Sequence, residues 1–189
     1  MQQDDSQRDD PDLATLRAIA DGDADACRRL VDRHLRPLHA FATRVLGDPA
    51  EAEDVCQESF VKLWQTAAQW QPDRALVATW LYQVALNGCR DRLRRQRPQA
   101  VDDPDLFHSD DPQPSQQFEH GQRADLLNAA LDRLPPRQRE ALMLFHFEGH
   151  SQTHTAAVLD ISEQALESLL GRARRGLREQ LKDSREGQS

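Results

Sequence analysis

The sequence predicts an all-α protein of two small helical domains joined by a flexible linker. Apolar residues recur at intervals of three and four along most of the chain, which is typical of amphipathic helices. Proline- and aspartate-rich sequence interrupts this pattern between residues 98 and 122. Only 38% of the 189 residues are hydrophobic and 5% are aromatic, which favours small helical units over one large core.

The charge of the chain is negative overall but unevenly distributed. A formal net charge of −8 argues against non-specific nucleic-acid binding by the whole surface. The cations are concentrated after Arg90 and after Arg172, and for a contact the size of a groove this local charge matters more than the sum. No run of residues is apolar enough to span a bilayer and no signal peptide opens the chain, so we expect a cytoplasmic protein without membrane insertion.

The cysteines indicate no disulfide or zinc site. Cys27, Cys56 and Cys89 are odd in number and lack CxxC spacing. This pattern favours buried free thiols.

The first domain begins with helices whose starts are visible in the sequence. Residues 1–12 are acidic and lack apolar periodicity, so we expect them to be disordered. Helices are predicted over Leu13–Ala20 and Ala24–Leu46, with a kink or a restart at Pro37. The sequence between them resembles the start of a calcium loop but lacks the later ligand positions, so Asp23 is predicted to be an N-cap.

A helix from Asp48 to about Ala68 has an acidic face. Asp48 and the proline after it form a helix start. Glu51, Asp54 and Glu58 follow three and four residues apart, where like charges repel weakly. A protein tolerates that cost, so the face is either solvated or a docking surface for a basic partner.

The stretch from Trp70 to Arg97 combines aromatic residues with a cationic segment. A helix led by Thr79 is predicted, with apolar residues on one side and arginines mostly on the other. Bases stack on aromatic rings while arginines follow phosphates, so this composition suits a nucleic-acid strand. On periodicity alone, an amphipathic helix with Trp80 in the core and a solvated basic face explains the stretch equally well.

The second domain has the pattern of a helix-turn-helix. Helices are predicted over 123–134, 137–147 and 151–159, and a last one begins at Ser162. The small Ala156 stands where the last two helices would cross, and arginines cluster in the second half of the final helix. Compared with an ordinary helical hairpin, this combination favours DNA binding.

Two parts of the chain resemble a known family. Region 2 of bacterial RNA polymerase sigma factors is similar to the blocks LGDPAEAEDVCQESFVKLWQ and ATWLYQVALNGCRDRLRR. Region 4 is similar to LDRLPPRQREALMLFHFEGHSQTHTAAVLDISEQALESLLGRARRGLREQL. Nothing between these blocks resembles region 3, which is the pattern of the extracytoplasmic-function (ECF, group IV) sigma factors.

The resemblance implies a function and partners. Such a protein binds core RNA polymerase through its β and β′ subunits, recognises the −35 and −10 elements of promoter DNA and melts the −10 region. It is regulated by an anti-sigma factor, is not an enzyme, and needs no cofactor or metal. The implied division is a disordered N-terminus over 1–12, region 2 over 13–97, an acidic linker over 98–122, region 4 over 123–183 and a disordered tail over 184–189.

The resemblance also assigns residues to these tasks. Core polymerase would be bound by Asp54, Gln57, Glu58 and Lys62. The −10 element would be held by Trp70, Trp80, Tyr82, Asn87, Arg90, Arg94 and Arg95, with the arginines from 90 to 97 tracking phosphates. The −35 element would be contacted by Ser162, Gln164, Glu167, Ser168, Arg172, Arg174 and Arg175.

The second domain departs from the common family pattern. His154 stands where Glu is frequent, Asp160 replaces the usual turn glycine, and Glu167 occupies a position where a cation is common. A carboxylate at 167 can accept a hydrogen bond from cytosine N4 but repels phosphate. These departures leave open which residues read the −35 element.

Three histidines in this domain, His146, His150 and His154, are spaced four residues apart. Gly149 and Ser151 break the helix between them, which disfavours a metal site.

Two other classes of protein remain open. A helix-turn-helix regulator acting without polymerase would leave the acidic helix and the aromatic residues without a role. A protein-sequestering interaction module would suit the negative net charge.

Overall fold

The computed structural model of the protein describes residues 10–96, 127, 129–147 and 149–186. The chain divides into two compact units, Met1–Pro98 and Gln99–Ser189. All regular structure among the described residues is helical, which confirms the predicted fold class. The predicted linker lies outside the described residues. None of the described helices combines the length and the apolar content that a membrane crossing requires.

Two of the four described helices of the first unit begin at the predicted caps, Asp23 and Asp48. The four helices are α1 (Leu13–Ala20), α2 (Ala24–Leu46), α3 (Pro49–Ala67) and α4 (Val77–Gln96). At the start of α2, Asp23 Oδ1 accepts a hydrogen bond from the backbone N–H of Asp25 at 2.8 Å. At the start of α3, Asp48 Oδ1 accepts one from the N–H of Ala50, also at 2.8 Å. Each cap stabilises its helix by about 1 kcal/mol.

The core of this unit lies where α2 packs against the other three helices. Each of its large apolar side chains contributes about 1.5–3 kcal/mol through burial. The largest fully buried ones are Leu16, Leu30, Leu38, Phe41, Val55, Leu63, Val77, Leu81, Tyr82 and Leu86.

The expected restart at Pro37 does not occur, because α2 runs through this residue as one helix. Proline removes one backbone hydrogen bond from a helix interior. Leu30 and Phe41, on either side of it, are both buried in the same core. Burial on both sides of the proline outweighs the missing bond.

The end of the predicted disordered N-terminus takes part in the fold. Asp12 is 2% exposed, and its Oδ2 lies 2.6 Å from Nε2 of His34 on α2. The Arg33 guanidinium donates to the other carboxylate oxygen. Burial raises the pKa of Asp12, but the hydrogen bond from His34 and the charges of His34 and Arg33 outweigh it and lower that pKa. The prediction of disorder is therefore wrong for Asp12.

Asp10 also has a structural role, at the start of α4. Its Oδ2 accepts a hydrogen bond from the backbone N–H of Val77 at 2.8 Å. Because this carboxylate satisfies an N–H at the helix end, α4 begins at Val77, two residues before the predicted Thr79.

The second unit contains helical residues 129–132 and the helices α5 (Pro136–Leu142), α6 (Gln152–Leu159) and α7 (Glu163–Glu186). Between α5 and α6 the chain makes a π-helical turn over Met143–Phe147, where the sequence predicts continued α-helix. At the other end of the unit, α7 is longer than predicted. It stays helical through the first three residues of the tail that was predicted to be disordered.

Helices α6 and α7 form the predicted helix-turn-helix. Ser151 Oγ and Ser162 Oγ cap them by accepting from the N–H groups of His154 and Ala165, each at 3.1 Å. Asp160 ends α6 in the left-handed conformation, with φ 55° and ψ 49°, which Asp tolerates better than most residues. The buried side chains of this unit include Leu142, Leu144, Ala156, Leu166, Leu170 and Ala173.

Candidate functional site

The outer face of α3 is both acidic and apolar. Asp54, Gln57 and Glu58 are exposed there, as predicted. Val61 and Trp64 are also exposed, at 44% and 39%. These five residues follow a spacing of three and four, which places them on one face of the helix, and we call them the docking face. Lys62 is exposed beside it.

The apolar residues of the docking face were not predicted from the sequence. Val61 and Trp64 lie seven and ten residues after Asp54, so helical spacing alone could have predicted that all three share one face. The Trp64 ring also contacts the buried Phe60, with centroids 6.5 Å apart. On α2, Leu35 is the other large hydrophobic residue that is exposed among those described.

Arg92 of α4 holds two carboxylates of α3. Its Nε lies 2.8 Å from Glu51 Oε2, and its Nη2 lies 2.8 Å from Glu58 Oε1. The hydrogen bond from Arg92 lowers the pKa of Glu58 against the opposing effect of burial. Arg92 therefore does not belong to the predicted phosphate track, and Glu51 and Glu58 are not simply solvated. Asp54 remains an exposed carboxylate of the docking face.

Trp70 and Trp80 form a pair at the loop between α3 and α4. Their ring centroids are 5.8 Å apart in an edge-to-face arrangement, and both side chains are half-buried. Trp70 Nε1 has no hydrogen-bond partner among the described residues. A cavity of about 370 Å³ lies beside this loop, lined by α1, the end of α3, Trp70 and Pro72. The Trp70 side chain thus borders open space, while its indole N–H is itself buried.

Tyr82 does not belong to this surface, and its predicted contact with DNA is wrong. Its side chain is 2% exposed and packs against Phe41, with ring centroids 5.4 Å apart. Tyr82 lies two residues after Trp80, which is 200° further round the helix. The two rings must therefore face different directions, and Tyr82 faces the core.

The polar residues predicted for −10 DNA lie along the exposed side of α4. Asn87 is exposed, and its Oδ1 accepts a hydrogen bond from Arg90 Nη1 at 3.4 Å. Arg94 is exposed and pairs with Asp91 at 2.8 Å, and Arg95 is exposed as well. An exposed ion pair is worth little, so Arg94 can exchange Asp91 for a phosphate at small cost. Arg97 lies outside the described residues.

The residues predicted to contact the −35 element are all exposed on or next to α7. Ser162 and Ser168 also serve the helix itself, since Ser162 caps it and Ser168 Oγ donates to the carbonyl of Gln164 at 3.1 Å. Arg174 Nη2 lies 3.3 Å from Nε2 of His146. Glu167 is exposed beside Ser168. The remaining members of this set, also exposed, are Arg172 and Arg175.

Two hydrogen bonds that orient α7 were not predicted. Thr153 Oγ1 on α6 donates to Glu163 Oε1 on α7 at 2.8 Å. Gln152 Nε2 donates to the backbone carbonyl of the same Glu163 at 3.4 Å. These bonds fix the first turn of α7 against α6.

The three histidines divide between two environments. His146 faces the Arg174 guanidinium, while the rings of His150 and His154 contact each other with centroids 4.2 Å apart and planes tilted by 40°. Burial lowers the pKa of His150, and burial together with the charge of His150 lowers that of His154 to about 4. Within the described residues, no three side chains are grouped as metal ligands.

Family models match both units of the chain. The model of sigma-70 region 2 matches residues 30–99, and that of sigma-70 region 4 matches residues 124–177. The first match contains α3 and α4 with their candidate surfaces, and the second contains the helix-turn-helix. The protein is a sigma factor of RNA polymerase.

Individual relatives refine this class. The sigma factor CnrH of Cupriavidus metallidurans is 34% identical over 88% of this chain and 92% of its own length. The ECF sigma factor SigM of Mycobacterium tuberculosis is 32% identical over 89% and 82%. Compared with SigE of Mycolicibacterium smegmatis, at 32% identity, the chain spans 60% of the relative's length. The solved structure of CnrH in complex with the cytosolic domain of CnrY has a TM-score of 0.70 at 29% identity and covers 92% of this chain and 99% of that one.

The chain belongs to the ECF sigma factors, which direct RNA polymerase to promoters.

Proposed function

We propose a division of this function among the three surfaces. The docking face of α3 binds core RNA polymerase, the Trp70 loop and α4 hold the opened −10 strand, and α7 reads the −35 duplex. The functional domains extend over 13–97 and 123–183. The observation that carries this proposal is the docking face, because neighbouring exposed apolar side chains rimmed by polar residues are typical of protein-interaction sites.

The −10 assignment rests on Trp70 and Asn87. Trp70 offers an aromatic side chain beside a cavity, and Asn87 offers an exposed amide that can bond a base edge. Opening a base pair and extruding a base costs a few kcal/mol, which stacking and pocket contacts offset. Arg90, Arg94 and Arg95 would follow the phosphates of the same strand.

The −35 assignment rests on the exposed face of α7. Gln164, Glu167 and Ser168 can bond base edges, and a carboxylate at 167 suits cytosine N4. The arginines from 172 to 175 neutralise phosphates. A regulator that binds duplex DNA without polymerase would also use α7. That alternative, however, would leave the docking face without a role.

Regulation by a partner protein is part of the proposal. The related CnrH has been solved with the cytosolic domain of CnrY, and that structure covers nearly all of this chain. We infer that an anti-sigma factor occupies surfaces of this protein as well. The protein would act in the cytoplasm, where polymerase and promoter DNA are found, and without catalysis of its own.

The experiment for the −10 surface replaces Trp70 and Asn87 by Ala. We expect normal binding to core polymerase and about tenfold less strand opening on duplex promoters, measured by permanganate footprinting. A pre-melted −10 bubble should restore only part of the activity, because the stacking partner is still missing when the opening cost is removed. Opening equal to that of the wild type would return both residues to a purely structural role.

The buried position of Tyr82 gives a contrasting expectation. Tyr82→Phe keeps the ring against Phe41, so promoter opening should change by less than about twofold, with at most about 1 kcal/mol lost from the stability of the first unit. Footprinting and thermal melting of the same preparation measure both. Impaired opening with an unchanged melt would place the hydroxyl at the DNA.

A further inference from the structure

Two glycines lie inside the recognition helix α7, Gly171 and Gly176. Glycine loses more conformational freedom on folding than any other residue and weakens a helix interior. Neither glycine has the positive φ that would require it. Each position therefore calls for a separate physical reason.

Gly176 has a reason within the fold. A Cβ added there would lie 3.0 Å from Leu134 Cδ2 and 3.9 Å from Gln138 Oε1. Leu134 is buried, so it has little room to move. Gly176 lets α7 pack closely against this residue.

Gly171 has no such reason in the described part of the chain. Apart from its two chain neighbours and the adjoining backbone of α7, a Cβ added there would meet no heavy atom within 4 Å. Alanine would fit without strain and would strengthen the helix. What glycine provides at this position is open space on the outside of α7.

The surroundings of this space indicate what enters it. Glu167 and Ser168 lie one turn before Gly171, and Arg174 and Arg175 lie one turn after it; all four are exposed. The open space at Gly171 thus lies between side chains that can hydrogen-bond to base edges and cations that can contact phosphates.

We propose that Gly171 is the point of closest approach between α7 and the base edges of the −35 duplex. The missing side chain lets the helix backbone sit deeper in the major groove, which brings Glu167 and Ser168 within reach of bases. This inference rests on the proposed −35 function of α7. It assigns specificity to a position that has no functional group of its own.

The test compares Gly171→Ala with the matched control Gly176→Ala. The full chain is first assembled with core polymerase into holoenzyme. This holoenzyme selects a duplex from a pool that is randomised over the −35 element. The selected duplex and an unrelated duplex then serve as the two binding probes. Gly171→Ala should bind the selected duplex about tenfold more weakly and the unrelated duplex as before, while its second unit melts about 4 °C higher. Gly176→Ala should melt at a lower temperature.

The possible outcomes distinguish a failure of this inference from a failure of the proposed −35 function on which it rests. Unchanged affinity for the selected duplex, or an equal loss on both duplexes, would overturn the role of Gly171 and leave −35 recognition standing. A wild-type holoenzyme that selects no duplex would overturn the −35 function, and the inference with it.

Discussion

Replacing Trp64 by Ala is expected to weaken binding to core RNA polymerase by about 30-fold, because a tryptophan at the centre of an interface contributes about 2 kcal/mol or more. Trp64 is only 39% exposed in the free protein and its ring contacts the buried Phe60, so its loss should also cost the first unit about 1–2 kcal/mol of stability, and affinities are compared at a temperature where both proteins are folded. Competition against labelled wild-type protein for core polymerase measures the affinity, and thermal melting measures the stability.

Four variants control this experiment. Trp64→Phe keeps most of the apolar contact and should lose less affinity. Arg17→Ala changes an exposed side chain on α1, outside the docking face, and should bind as the wild type does. Asp54→Asn should cost more than Glu58→Gln, because Arg92 already holds Glu58. If Trp64→Ala competes for core polymerase as well as the wild type, the docking face is wrongly assigned.

The second unit is expected to lose stability as the pH falls from about 6.5 to about 4. Burial and the charge of His150 lower the folded-state pKa of His154 from 6.5 to about 4, so the unfolded chain binds a proton that the folded chain excludes. The stabilisation is complete above the unfolded pKa and disappears as the pH approaches the folded one. One pKa unit corresponds to about 1.4 kcal/mol, and after a discount for the partly exposed ring the loss is about 2 kcal/mol. The lowered pKa of His150 acts in the same direction.

Spectroscopy can follow the two units separately. Trp64, Trp70 and Trp80 are the only tryptophans of the chain and all belong to the first unit, so fluorescence reports on that unit while circular dichroism reports on both. His154→Gln should reduce the dependence of the second unit on pH, and His39→Gln on α2 should leave it unchanged. Asp12, whose pKa lies below its usual value of 3.8, stabilises the first unit above that pH and loses this contribution only as the pH falls further. Equal stability of the second unit at pH 6.5 and pH 4 would contradict the prediction.

The sequence by itself determined the helical fold class and most helix starts. Asp23, Asp48, Ser151 and Ser162 were predicted as caps or helix starts, and each accepts the hydrogen bond that this role requires. These signals are local, because a cap bonds a backbone N–H two or three residues away. The acidic face of α3 and the exposed polar face of α7 followed from helical spacing in the same way. The roles assigned to them remain predictions.

Only the tertiary structure decided which side chains of α4 face inward. Periodicity favoured Trp80 for the core as much as for DNA, and the family resemblance set Tyr82 among the DNA contacts. In the fold Tyr82 is buried against Phe41, which is 41 residues away in the chain. Spacing fixes the angle between two side chains of one helix, but the packing of other helices fixes which angle is the inner one.

Long-range charge pairs were equally hidden in the sequence. Arg92 stood in a run of arginines, and its partners Glu51 and Glu58 lie 41 and 34 residues away. Asp12 stood in an acidic segment without periodicity, and His34, 22 residues away, gives it a place in the core. In both cases a charge that looked solvated is held by a side chain that only the packing of the helices brings near, because an ion pair forms between atoms a few ångströms apart in space, and sequence order does not determine that distance.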